Sequence, residues 1–206
     1  MSTADVIHDV SLLLQNLLKT VGSQVTVTVD SPQRVTSQGP LLNLFLYLVG
    51  VDDSRRNTGW VALSEKSGRP KEKRANPEIF APEPLALKLF YLVTAFAVDG
   101  LAEQRLLGHA IQIFHENQHL STKDLPERTA ARLKAEQMDL VLLDLDIDAM
   151  QKIWGQGKES LRASVAYEVA GIYLESGVPR QAPLVESVND EARPLRPGES
   201  PPKGKP

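Results

Sequence analysis

Residues Leu85–Phe114, LALKLFYLVTAFAVDGLAEQRLLGHAIQIF, decide the fold. The first half is a long apolar run containing Phe90, Tyr91, Val93 and Phe96. Such a run reads as a strand buried on both faces, or nearly so. Asp99-Gly100 breaks it. After the break, Leu107, Ile111 and Phe114 recur at spacings of four and three, which gives a helix one apolar face to lay on the strand. A strand that feeds directly into a packed helix is the seed of a two-layer domain.

Towards the N-terminus, Ser2 or Thr3 can cap a first helix whose stripe is Val6, Val10, Leu13, Leu14, Leu17 and Leu18. This helix is expected to run to about Thr20 and stop at Gly22. Val25, Val27 and Val29 alternate with polar residues and predict a half-exposed strand. Leu41–Val51, LLNLFLYLVGV, predicts a second, more apolar strand, with Gly50 marking a bulge or a close approach. From 52 to 84 the chain turns polar, with prolines at 70, 77, 82 and 84. A connection this long reads as an excursion off the sheet.

Beyond Phe114, Ser121, Thr122 and Pro126 mark turns, and Thr129–Gln137 reads as short helix or irregular chain. Met138–Ile147 predicts a strand, and Asp148 is placed to cap a short helix, Ala149–Trp154, ended by Gly155 and Gly157. Leu161–Glu175 alternates with period two and predicts a long strand. Residues 178–206 hold seven prolines in 29 positions, a composition that reads as a disordered tail. Several strands follow one another without a crossover helix. The expected fold is therefore α+β: a mixed, largely antiparallel sheet with helices packed on one face. The expected division is one domain over 1–177, carrying the extended loop 52–84, and the tail 178–206.

Composition excludes several functions. There is no cysteine, so disulfides, thiolate zinc sites and cysteine nucleophiles are absent. The formal charge of −3 is too small to name a partner. The first residues carry Asp5 and Asp9 and no basic lead, unlike a signal peptide, and no apolar run reaches the ~20 residues that span a bilayer. The sequence predicts no membrane or nucleic-acid partner.

Three charged groups invite a functional reading. His115-Glu116-Asn117-Gln118-His119 spells H-E-x-x-H, in which two histidines bind zinc and the glutamate activates water. It stands at a helix end with Ser121, Asp124 and Pro126 immediately behind it, the wrong context for that motif. A zinc-dependent hydrolase through these three residues is the alternative reading. Asp144, Asp146 and Asp148 share one face if their segment is a strand, either as a solvated acidic edge or as a surface for a basic partner. Lys66, Arg69, Lys71, Lys73 and Arg74 cluster within nine residues and could touch phosphates, which makes a nucleic-acid adaptor a further alternative. No stacking platform accompanies them. Gly155-Gln156-Gly157-Lys158 is too short for a phosphate loop. No catalytic constellation emerges.

Four segments together carry a resemblance: ADVIHDVSLLLQNLL, LLNLFLYLVGVDDSRRN, the block from Pro84 to Asn117, and LRASVAYEV. Within them, Tyr91–Ala95 (YLVTA) followed by Glu103–Gly108 (EQRLLG) is the most specific part. Over about residues 3–175 the chain resembles the cap, or tube-terminator, proteins of phage-tail-like contractile injection systems, of the antifeeding-prophage and Photorhabdus virulence cassette type. The resemblance implies a non-enzymatic protein without cofactors. It implies a homo-hexameric ring that ends the inner tube and engages the last sheath layer. It also implies assembly in the bacterial cytoplasm and residence in the injection particle, released from the cell or not. Loop 52–84 with its five basic residues, the acids Asp144, Asp146 and Asp148, and the tail are the expected partner-facing parts. Arg105, within an otherwise apolar helix, is expected in a buried ion pair.

Overall fold

The computed structural model describes residues 5–35, 39–55, 61–62, 78–81, 84–126, 137–155, 161–174 and 180–182. Its elements are α1 (Val6–Leu18), β1 (Thr26–Thr28), β2 (Leu41–Val51), β3 (Val61–Ala62), β4 (Glu78–Ala81), β5 (Leu85–Phe96), α2 (Gly100–Glu116), β6 (His119–Ser121), β7 (Gln137–Leu143), α3 (Ile147–Trp154), β8 (Ser164–Leu174) and β9 (Arg180–Ala182).

Six strands form one sheet in the order β1-β2-β5-β8-β7-β6. Only β1–β2 is parallel, and the other pairs are antiparallel. The sheet is thus mixed and largely antiparallel, as expected. β5 sits inside it, pairing with β2 from Leu41↔Phe96 to Val51↔Leu87 and with β8 from Leu85↔Leu174 to Thr94↔Ser164. That central position explains why its sequence is apolar on both sides. The irregularity in β2 falls between Leu46 and Leu48 rather than at Gly50. Gly50 instead supplies close approach: a Cβ there would stand 3.1 Å from Phe90 Cε2.

One face of the sheet carries α1 and α2. Val6, Val10, Leu14 and Leu18 from α1 join Leu106, Leu107, Ala110 and Phe114 from α2. They close over Leu42, Leu44, Leu89, Tyr91, Val93 and Val169. Each such side chain contributes about 1.5–3 kcal/mol on leaving water, so this face dominates the stability. Phe114 meets Tyr167 edge to face at 4.9 Å between ring centroids. Tyr91 is fully buried, and its hydroxyl lies 2.8 Å from Ser11 Oγ. Ser11 spends its one proton on the Ile7 carbonyl, so Tyr91 is the donor in that pair.

The opposite face is also covered in part. Trp154 of α3 packs on Leu92 and Ala166, with Phe45, Tyr47, Phe96, Leu143, Met150 and Ile153 around it. Helices therefore lie on both faces, where the sequence reading placed them on one. The cause is the even-numbered side of β5, Leu92 and Phe96, which needs cover as much as the other side does.

Three further boundaries differ from expectation. The strand predicted to Ile147 stops at Leu143. Arg180–Ala182, within the stretch read as a tail, pair antiparallel with β4. Together β3, β4 and β9 make a separate three-stranded sheet, so the excursion carries order of its own. Residues 183–206, Gly157 and most of Thr129–Gln137 lie outside the described residues.

Candidate assembly interface

No catalytic geometry forms around the H-E-x-x-H letters. α2 ends at Glu116, and His119 belongs to strand β6. The two histidines therefore do not share a helix face. His115 Nδ1 pairs with Gln118 Nε2 at 2.8 Å, and Glu116 accepts from Gln112 Nε2 at 2.9 Å. His119 Nδ1 lies 3.2 Å from Asp139 Oδ1. Among the described residues no group of three His, Asp or Glu side chains is placed to hold a metal ion.

The acids Asp144, Asp146 and Asp148 do not form one strand face either. Asp144 and Asp146 lie in the connection after β7, and Asp148 lies in the first turn of α3. Asp146, not Asp148, caps this helix: its carboxylate accepts from the Ala149 N–H at 2.6 Å. All three are exposed. Lys66, Arg69, Lys71, Lys73 and Arg74 lie outside the described residues.

Arg105 is exposed, because the buried stripe of α2 passes through Leu106, Leu107, Ala110 and Phe114. The ion pair at that end of the sheet is Arg162–Glu103 instead. Arg162 also stacks over the Phe96 ring, 4.9 Å from its centroid. It fastens the start of β8 to α2.

A second ion network, unread in the sequence, ties the end of β2 to the far side of the sheet. Arg55 reaches Asp52 at 3.5 Å and Asp139 on β7 at 3.0 Å. Burial opposes the Arg55 charge, but Asp139, Tyr173 and Asp52 hold its pKa above the ordinary value. Burial likewise pushes Asp139 up. Bonds from His119, Arg55 and Gln137 outweigh this and leave its carboxyl below the usual range. Gly171 makes the arrangement possible. It has φ +88°, and a Cβ there would lie 2.6 Å from Arg55 Nη1 and 3.1 Å from the Gln137 carbonyl. Lys88 and Glu168 form a third pair at 2.8 Å on neighbouring strands.

These pairs organise the fold and leave other surfaces open. Exposed apolar side chains gather in three places. At the end of the sheet where β5 gives way to α2 stand Val98, 90% exposed, and Leu101, 76% exposed. Along β2 stand Leu48, Val49 and Val51, and along β7 stand Val141 and Leu142.

The family model of the Pvc16 N-terminal domain matches residues 5–187. The chain belongs to that family. Its fold is shared by the sheath/tube terminator of PVC, an extracellular contractile injection system, with a TM-score of 0.58 and 14% identity. It is also similar to the tube-terminating cap of the anti-feeding prophage, with a TM-score of 0.56 and 15% identity. The matches cover 92% and 90% of this chain but 65% and 59% of those proteins. No sequence among the curated proteins matches. The structure adds to the charged runs singled out in the sequence an exposed apolar feature that hydropathy alone did not isolate. It is made of the apolar sheet margins, and its signal was the uncharged run Leu44–Val51.

Proposed function

We propose that this protein is a structural cap that ends the inner tube of a contractile injection system and engages the last sheath layer. The observation that supports it is family membership over residues 5–187, with two tube terminators sharing the fold over nine tenths of the chain. In this reading the protein is not an enzyme. Six copies form a ring, assembled in the bacterial cytoplasm and carried in the particle. The sheet with its helices is the rigid body of each copy. Asp144, Asp146 and Asp148, and the basic residues Lys66, Arg69, Lys71, Lys73 and Arg74, are the charged contacts to tube and sheath subunits. Such contacts would set register and approach more than affinity.

The test is a particle preparation from cells that lack the protein. Tubes of uncontrolled length, corrected by supplying the protein in trans, are the expected result. Tubes of normal length in its absence overturn the proposal.

A further inference from the structure

Among the described residues, the outer edge of β2 is paired along only part of its length. β1 pairs with it only at Leu41, Leu42 and Asn43. From Leu44 to Val51 no described residue pairs with its outer edge. About half of those eight residues direct N–H and C=O groups outward. Open edges of this length are normally blunted by charge or proline. The run Leu44-Phe45-Leu46-Tyr47-Leu48-Val49-Gly50-Val51 has neither. Leu48, Val49 and Val51 are 52%, 43% and 44% exposed.

The far margin of the same sheet is also only partly paired among the described residues. β6 covers β7 at Gln137, Met138 and Asp139, and the Leu140 N–H donates to the Gln118 carbonyl at 2.8 Å. Beyond them Val141 and Leu142 are 49% and 54% exposed. The two margins match in height. Val141 pairs with Glu168, Glu168 with Phe90, and Phe90 with Leu48. Leu143 is level in the same way with Ala166, Leu92 and Phe45. They also match in facing. Leu48 and Val141 lie in register with Phe90 and Glu168, on the α3 side. Val49 pairs with Leu89, and Leu142 with Tyr167, both members of the core beneath α1 and α2. Following the antiparallel pairs across the sheet, β2 and β7 run in opposite directions.

We infer that the outer edge of β2 pairs antiparallel with the exposed stretch of β7 in a second copy of this chain, continuing one sheet from copy to copy. Each copy offers β2 on one side and β7 on the other, so the contact is head to tail and can close into a ring. Antiparallel pairing sets Leu48 near Val141 on one face and, on the other, Leu46 near Leu142, with which it is level through Tyr91 and Tyr167, as cross-strand apolar neighbours. This inference gives the ring of the cap reading its contact surface, but it does not need a tube to be true.

The absence of cysteine makes a clean test. Within one copy Leu48 and Val141 are three strand spacings apart, about 14 Å, too far for a disulfide. The Leu48→Cys/Val141→Cys double variant changes exposed positions only, and the Leu46→Cys/Leu142→Cys double variant changes one half-buried and one exposed position. Each is oxidised mildly, both as concentrated free protein and within assembled particles, then run on a non-reducing gel. We expect a ladder beyond dimer from at least one double variant and from none of the single variants. Dimers from Leu48→Cys or Leu46→Cys alone would mean β2 meets β2, and would overturn the inference. A link only to tube or sheath subunits would mean that the edge takes a foreign strand, and would overturn it as well. So would no link in either preparation. Tube length in cells lacking the protein is read separately, so failure of the cap reading and failure of this contact are told apart.

Discussion

Asp139 shows how much a single carboxylate can do to tie a sheet together. It stands on β7 and accepts from Arg55 at 3.0 Å, from His119 at 3.2 Å and from Gln137 at 3.4 Å. Arg55 crosses two intervening strands to reach it, over the one position, Gly171, that leaves room for a guanidinium. The pair is about one third exposed, so solvent screens it and its net worth is modest. Its pH signature is more telling. Asp139 has a depressed pKa, so its contribution is complete above the ordinary carboxylate value and is lost as pH falls through the folded value. Asp139→Asn should therefore melt below the wild type at pH 7, by about 1–3 °C for a chain of this size. The two melting curves should converge as the pH drops below about 4. A gap in melting temperature that persists unchanged in acid would show that the ion pair is not its source. None of this was legible in the sequence. Arg55 and Asp139 are 84 residues apart, and nothing in the periodicity of either segment links them. Arg105 misled for a related reason. An arginine between apolar neighbours looks buried, but the helical turn that hides Leu106 and Leu107 carries Arg105 to solvent.

At the scale of elements, reading succeeded where a run was long and one periodicity dominated. β2 and β5 were legible almost to the residue, because a central strand must be apolar on both faces. β8 was legible by its alternation, and α2 by its stripe and its start after Asp99. That residue's carboxylate accepts from the Ala102 N–H at 2.8 Å. The reading failed at the junction of β7 and α3. Leu143, Leu145 and Ile147 alternate with acids, a strand pattern, but the chain leaves the sheet after Leu143. A capping aspartate and an exposed strand aspartate look the same in sequence, and four acids within ten residues offered several possible caps. The geometry selects Asp146, which predicts an asymmetry. Asp146→Ala should lower stability by about 1 kcal/mol through loss of the cap. Asp148→Ala should cost less, about 0.3–0.5 kcal/mol, because it loses only a favourable charge near the helix N-terminus. Urea unfolding followed through Trp154, with Trp60 replaced by Phe, would measure both. Equal losses, or a larger loss at Asp148, would contradict the assignment of the cap.

At the scale of the whole molecule, the excursion and the C-terminal segment, which the sequence presented as two loose regions, are joined. β4 lies between β3 and β9, paired at Val61↔Ala81 and Ala62↔Phe80 on one side and at Glu78↔Ala182, Ile79↔Gln181 and Phe80↔Arg180 on the other. Proline content signalled disorder from 178 onward. It did so because composition counts residues over a window, while β9 needs only three residues free of proline between Pro179 and Pro183. A sheet of three short strands is marginal by itself, so losing one edge should be felt throughout. Ending the chain after Gly177 removes β9 and uncovers that side of β4. Ending it after Ala182 keeps both. Amide exchange at Glu78–Ala81 should therefore be about ten-fold faster in the shorter chain and close to that of the full chain in the longer one. The factor corresponds to about 1.4 kcal/mol, of the order expected for one or two net hydrogen bonds. The six-stranded sheet supplies the control: amides of Leu89–Val93 should exchange alike in all three chains, because their partners lie in β2 and β8. Equal exchange at Glu78–Ala81 in both truncations would mean that β9 adds nothing to the small sheet. Faster exchange in the central strand as well would mean that the two sheets unfold as one unit, and that the segment expected to be a tail helps hold the body of the molecule.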